Sequence, residues 1–170
     1  WAHEGGGVLI NQAVHVIDLM LWLSDPAMPT RVTARMETLN HKIEVEDSAV
    51  AILEYADHRL GLIQATTIAY PGYPERLEFH GTLGSAVYHH GQGKLEWHLV
   101  DPKEDHFEEA PVDSGAARPM DISAVGHTTQ YRDFVAAVEN RTAPAVDGRE
   151  GRKSVELIEA IYKSARERIQ

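Results

Sequence analysis

Residues 5–23, GGGVLINQAVHVIDLMLWL, set an amide, an imidazole and a carboxylate into an otherwise apolar run. Asn11, His15, Asp18 and Trp22 fall at offsets 0, 4, 7 and 11. At roughly 100° per residue these positions share one helical face about 60° wide. An imidazole exchanges a proton near neutral pH, an amide hydrogen-bonds a hydroxyl, and a carboxylate orients a ring or binds backbone. His-x-x-Asp also sets two metal ligands on one helical face, although these two alone do not complete a site. The remaining positions are largely Val, Ile, Leu, Met and Ala, so the spacing predicts a helix buried nearly all round. Burying the three polar groups without partners would cost several kcal/mol. Two readings follow: His15 and Asp18 satisfy one another in a capped core helix, or a ligand completes them. Gly5, Gly6 and Gly7 precede the run and let the backbone approach a neighbour closely.

The rest of the chain must hold that helix. Its 170 residues suffice for one domain burying on the order of 70% of its unfolded surface. A composition 43% hydrophobic and 25% charged is that of a globular protein. The net charge of −10, with no local basic cluster, argues against nucleic acid or an anionic membrane as partner. Without cysteine there is no disulfide framework and no thiolate metal site, which accords with a cytoplasmic location. No apolar run is long enough to span a bilayer as a helix, and no signal peptide is recognisable. The chain opens at Trp1 without a Met and enters a structured motif at once, as expected of a fragment that has lost an N-terminal portion.

Ser24-Asp25-Pro26 ends the first helix near Leu23. Strand periodicity follows at 31–39, 47–55 and 60–68, the last two joined by the polar turn Ala56-Asp57-His58-Arg59 as a hairpin. Further strands are expected at 76–80, 86–90 and 94–100, about six in all and mainly antiparallel. From Asp101 to Gly126 periodicity fails, leaving a long acidic, proline-bearing loop with room for one short edge strand. Residues 127–139 carry Tyr131, Phe134, Val135 and Val138 at helical spacing. Asp147 is placed to cap a last helix reaching about Ile169, with Val155, Ile158, Tyr162, Ala165 and Ile169 as its buried stripe. The expected fold is therefore α+β, an open antiparallel sheet with helices packed on one face. The 47–55 strand is apolar on both faces, so something must cover the far side; a partner copy meeting it sheet on sheet is favoured.

GGGVLINQAVHVIDLMLWL resembles the signature that opens the C-terminal domain of the glucose–fructose oxidoreductase, inositol dehydrogenase and MocA (Gfo/Idh/MocA) family. RLEFHGTLGSA is similar to the family's glycine-punctuated hairpin, and QYRDFVAAVENRTAPAVDGREGRKSVELIEAIYKSA to its last two helices. The resemblance implies that residues 1–170 are a substrate-binding and oligomerisation domain with a dihydrodipicolinate-reductase-like sheet. It implies an N-terminal Rossmann domain, absent from this chain, that binds NAD or NADP. It further implies oxidation of a sugar, cyclitol or related polyol by hydride transfer, a homodimer or homotetramer formed through the sheet face, and His15 as general base. Asn11 stands where the family usually has Asp; an amide binds a hydroxyl but cannot stabilise an imidazolium by charge. Asp18 would fix the imidazole tautomer or bind backbone. No GxGxxG follows a strand here, so the chain alone is expected neither to bind the dinucleotide well nor to turn over substrate.

Trp1 and His3 would line a sugar site, the indole stacking on a ring, or else lie loose at the chain end. His127 is either a substrate contact or the polar start of its helix. Trp22 is expected to pack in the core, and Tyr70 and Tyr73 to border a cleft or face solvent. Two rival functions stand beside the dehydrogenase: a metal-dependent hydrolase or isomerase using His15, Asp18 and His127, and a sugar-binding or oligomerisation module without catalysis.

Overall fold

A computed structural model of the protein describes residues 5–24, 28–90, 92–101, 106–109 and 125–167, with backbone alone for 106–109 and Val125. They divide into two compact units, one formed by residues 1–72 with 146–170 and the other by 73–145.

The first unit begins with a π-helical turn, Leu9–Ala13, continuous with α1, Val14–Leu23. Strands β1 (Arg31–Glu37), β2 (Ser48–Glu54) and β3 (Leu60–Thr66) form an antiparallel sheet in that order. Across it, Val32, Leu53 and Gly61 form one column, Ala34, Ala51 and Ile63 the next, and Met36, Ala49 and Ala65 a third. Small residues dominate this inward face, and Ala34, Ala49, Ala51 and Leu53 are buried. The last helix, α3 (Gly148–Glu167), packs along β1 and against α1. Its Ser164 hydroxyl accepts the Ala34 N–H at 3.0 Å, so the outer edge of β1 is covered. Asp147 starts this helix as expected, Oδ1 accepting the N–H groups of Arg149 (2.8 Å) and Glu150 (3.1 Å). The buried stripe is Ser154, Leu157, Ile158, Ile161 and Tyr162. Val155, assigned to it by periodicity, is turned outward, and Ile169 lies outside the described residues.

The second unit is a four-stranded antiparallel meander, β4 (Arg76–Gly81), β5 (Gly84–His89), β6 (Lys94–Leu99) and β7 (His106–Glu109), with α2 (Val125–Asn140). The α+β class and antiparallel pairing agree with the sequence. The strands, however, form two separately hydrogen-bonded sheets rather than one, and β7 is the edge strand for which the acidic loop had room. Gly84 (φ 146°) must lack a Cβ because the His98 carbonyl and Leu99 fill that space. One face of this sheet is charged: Glu78 pairs with Arg76 and His80, and Glu96 with Lys94 (2.6 Å) and His89 (3.1 Å). The Lys94 ammonium keeps the Glu96 carboxyl below its ordinary range. Among the described residues no helix is long and apolar enough to cross a membrane.

Candidate active site

The buried polar cost expected of the first helix falls elsewhere. Glu46 and Asp47, just before β2, are 6% and 0% exposed. The Glu46 carbonyl accepts the Val8 N–H, and its Oε1 accepts the Leu9 N–H, both at 3.0 Å. These are amides that a helix start leaves without an internal partner. The Tyr162 hydroxyl donates to the same oxygen at 3.1 Å. Burial first, then the neighbouring Glu46 carboxylate, pushes the Tyr162 phenol well above its ordinary range, so it stays a donor. Gly7 lies flush against this group; a Cβ there would run into the Glu46 carboxylate and carbonyl.

Asp47 ties down the loop between β1 and β2. Its carboxylate accepts the N–H groups of Leu39 (2.8 Å), Asn40 (2.9 Å) and His41 (2.9 Å) and faces the His41 ring. The His41 and Leu39 amides hold this carboxyl well below the usual range, outweighing its desolvation. Its carbonyl accepts from Thr67 at 3.0 Å, which ties β3 to the same point.

On the first helix, Asn11, His15, Asp18 and Trp22 do share a face, but that face is open. Only one flank is buried, through Leu9, Ile17, Met20 and Leu21, so the expectation of burial all round is corrected. Trp22, expected in the core, is 68% exposed. A helix that meets the protein on one side has a solvent side, and the polar residues take it. Asp18 Oδ1 accepts a hydrogen bond from the Ser154 hydroxyl on α3, which fastens α1 about one turn after its start. Its partner is thus a side chain of α3, neither the His15 ring nor a backbone amide. Among the described residues neither Asn11 nor His15 has a side-chain partner, so both are free to meet a ligand.

His127 is exposed near the start of α2, in the other compact unit. Tyr70 and Tyr73 are 92% and 76% exposed. Trp1 and His3 lie outside the described residues. Among the described residues no three His, Asp or Glu side chains converge as a metal ion would need. The sequence reading passed over Glu46 and Asp47, whose one local signal is a pair of acids directly before an apolar strand.

The fold is shared with a solved structure: the chain superposes on an oxidoreductase domain protein from Kribbella flavida with TM-score 0.78 and 21% identity, covering 97% of this chain and 49% of that one. A family model for the GFO/IDH/MocA C-terminal domain matches residues 1–87, and the chain belongs to that family. It is 26% identical to D-apiose dehydrogenase of Paraburkholderia graminis over 94% of its length and 43% of the relative's. It is 27% identical to inositol 2-dehydrogenase of Rhizobium meliloti over 98% of its length and 50% of that protein's. The chain therefore spans about half the length of the curated relatives it matches. The WlbA dehydrogenase from Bordetella pertussis, solved with NADH and UDP-GlcNAcA, is 27% identical with TM-score 0.63, covering 96% of this chain and 44% of that one.

Proposed function

We propose that this chain is the substrate-side domain of an NAD(P)-dependent oxidoreductase that oxidises a hydroxyl of a sugar, cyclitol or related polyol, with His15 as general base. The observation that carries the reading is the free imidazole of His15, held on the open face of a helix whose opposite flank is buried and braced. The names of the two curated relatives support a sugar or polyol hydroxyl as the reacting group.

In this reading, a bound NAD or NADP would supply the acceptor for the hydride that leaves the carbon. His15 takes the proton of the hydroxyl on that carbon, and the product is a carbonyl. Asn11, one turn earlier, hydrogen-bonds a substrate hydroxyl and orients it. The described residues offer no cradle for the dinucleotide's pyrophosphate. A glycine-led helix start is the usual place for such an anion, but here Glu46 already holds the Val8 and Leu9 amides and would repel it. NAD or NADP is therefore held mainly by an N-terminal Rossmann domain outside these residues. Calorimetry on the 170-residue chain alone is expected to find no tight NAD binding; stoichiometric binding would overturn that point.

The decisive experiment joins this chain to its dinucleotide-binding half and follows NAD and NADP reduction over a polyol panel. His15→Ala should lower kcat by roughly 10²- to 10⁴-fold, the span of a lost general base. Undiminished turnover would refute the assignment. Asn11 favours a second reading, a sugar-binding or oligomerisation module without turnover, which binding without reduction across the panel would establish.

For assembly, the outer face of the three-stranded sheet exposes Val50 (42%), Ile52 (48%), Leu60 (75%) and Leu62 (67%). Ile52 lies directly opposite Leu62 in the register. In our reading this apolar face supports a homodimer or homotetramer. Ile52→Glu should give a monomer by sedimentation; an unchanged mass would remove the proposal.

A further inference from the structure

Two serines, Ser154 and Ser164, are buried on α3. Serine is a weaker helix former than alanine, and a buried hydroxyl without a partner is costly. Both hydroxyls are used across elements: Ser164 accepts the Ala34 N–H of β1, and Ser154 donates to Asp18 Oδ1 of α1. Within α1 the buried side chains are Ile17, Met20 and Leu21. Apolar contact is non-directional, so it holds a helix against the core but fixes its roll only loosely. The bond between Asp18 and Ser154 is, among the described residues, the one side-chain hydrogen bond that α1 makes to another element. A side-chain tip stands about 5–6 Å from the axis of its helix, so a roll of about 10° carries it about 1 Å. Asp18 lies one turn beyond His15, so a roll of α1 moves both together.

We propose that Ser154 is a positioning residue for His15: through the Asp18 carboxylate it fixes the roll of α1 against α3, and so the direction in which the imidazole points. A hydroxyl-to-carboxylate bond suits the task because it is directional and charge-assisted. The placement suits it as well. α3 also reaches the start of the first helix, where the Tyr162 hydroxyl and the Leu9 N–H meet on one Glu46 oxygen. At helical rise the chain advances about 13 Å from Leu9 to Asp18 and about 12 Å from Ser154 to Tyr162. The two helices therefore run antiparallel with both ends tied, and the tie nearer to His15 is the one at Asp18. Ser154 is itself buried and meets no substrate; it acts only through Asp18. The positional part stands by itself, whereas its catalytic consequence rests on the dehydrogenase reading.

The test sets Ser154→Ala beside Ser164→Ala, which loses a buried hydroxyl from the same helix without touching α1. In the 170-residue chain both should lower the denaturation midpoint. Two readouts separate them: the residual dipolar couplings of the amides of residues 14–22, which report the orientation of α1, and the His15 ring resonances. Both readouts should move in Ser154→Ala and stay in place in Ser164→Ala. Unmoved couplings and resonances in Ser154→Ala would overturn the proposal, as would equal movement in the two variants. If Ser154→Ala does not fold, Asp18→Ala is read against Asp18→Asn, which keeps an oxygen for the hydroxyl. Larger coupling changes in Asp18→Ala support the clamp, and equal changes overturn it. In the enzyme joined to its dinucleotide-binding half, Ser154→Ala should lower kcat roughly 10-fold, as a catalytic group displaced by about 1 Å does, with KM for the dinucleotide held within about twofold. Ser164→Ala should leave kcat near wild type. Unchanged kcat in Ser154→Ala alongside shifted resonances would overturn the catalytic consequence. A wild-type enzyme without polyol-dependent reduction would instead strike the dehydrogenase reading, while the couplings still judge the clamp.

Discussion

The two compact units are built on different principles. The first has Leu9, Leu53, Leu157, Ile158 and Ile161 at 2% exposure or less and two buried carboxylates at one corner of its sheet. The second has, among its described residues, Leu77 and Ala137 as its buried apolar side chains. One face of its sheet instead carries charged pairs, Lys94–Glu96 along one strand and His89–Glu96 between two, and the Tyr131, Phe134, Val135 and Val138 face of α2 is exposed. Exposed ion pairs contribute little to stability, commonly under about 1 kcal/mol each, whereas a buried leucine contributes several times that. The lesson is one of division of labour. The unit that carries His15 is the one able to hold a helix still, through a dry core and carboxylates bonded to backbone.

The contrast breaks or sharpens under substitution, beginning with the largest expected effect. Gly7→Val drives a branched side chain into the Glu46 carboxylate and costs a buried hydrogen bond besides, on the order of 4 kcal/mol. Denaturant unfolding monitored by α1 resonances measures it; a loss below about 1 kcal/mol would mean that Glu46 moves aside freely. Leu53→Ala should cost about 3 kcal/mol, and Leu77→Ala in the other unit less than half as much. Equal losses would erase the distinction between the units. Tyr131→Ala and Phe134→Ala on α2 should fall within about 0.5 kcal/mol of wild type, as exposed positions do. A larger loss would show that the face is covered in solution.

Acid should also act unequally. The Asp47 carboxyl is held low in the folded chain, so its stabilisation is full above the ordinary aspartate pKa, about 3.9. It declines as pH falls below that, through the lower folded value. Melting temperature followed from pH 6 to pH 2 should fall more steeply for wild type than for Asp47→Asn, which starts lower. Parallel curves would refute the linkage. The smallest effect is a gain. Arg141, just past α2, sits at φ 56°, a left-handed conformation that glycine adopts freely. Arg141→Gly should raise stability by about 0.5 kcal/mol once the added freedom of the unfolded chain is offset.

Much of this was legible in the sequence because it is written locally. The first helix ends at Leu23, just before the sequence's Ser-Asp-Pro breaker, Asp147 caps the last, and alternation marks the strands. The Asn11–His15–Asp18 face was readable from spacing alone. What escaped was non-local. Glu46 meets Leu9 from 37 residues away and Tyr162 from 116, and Ser154 meets Asp18 from 136. Nothing within the run Glu44-Val45-Glu46-Asp47 marks its last two acids as buried until those partners are known. The same gap explains Trp22 and Val155. Period alone gives the angle between side chains on a helix but not which side meets the core, and a large apolar residue at a helix end was assigned inward when it points out.

Because the first unit is assembled from two distant stretches of chain, its order of synthesis matters. The helix that bears His15 leaves the ribosome among the earliest parts of this sequence, while Ser154 and Tyr162 leave among the last. Until they arrive, Glu46 and Asp18 have no side chains from α3 to grip, and the nascent helix must wait with its apolar flank uncovered. A ribosome stalled anywhere within the second unit would therefore display an unfinished first one, the kind of species that chaperones recognise.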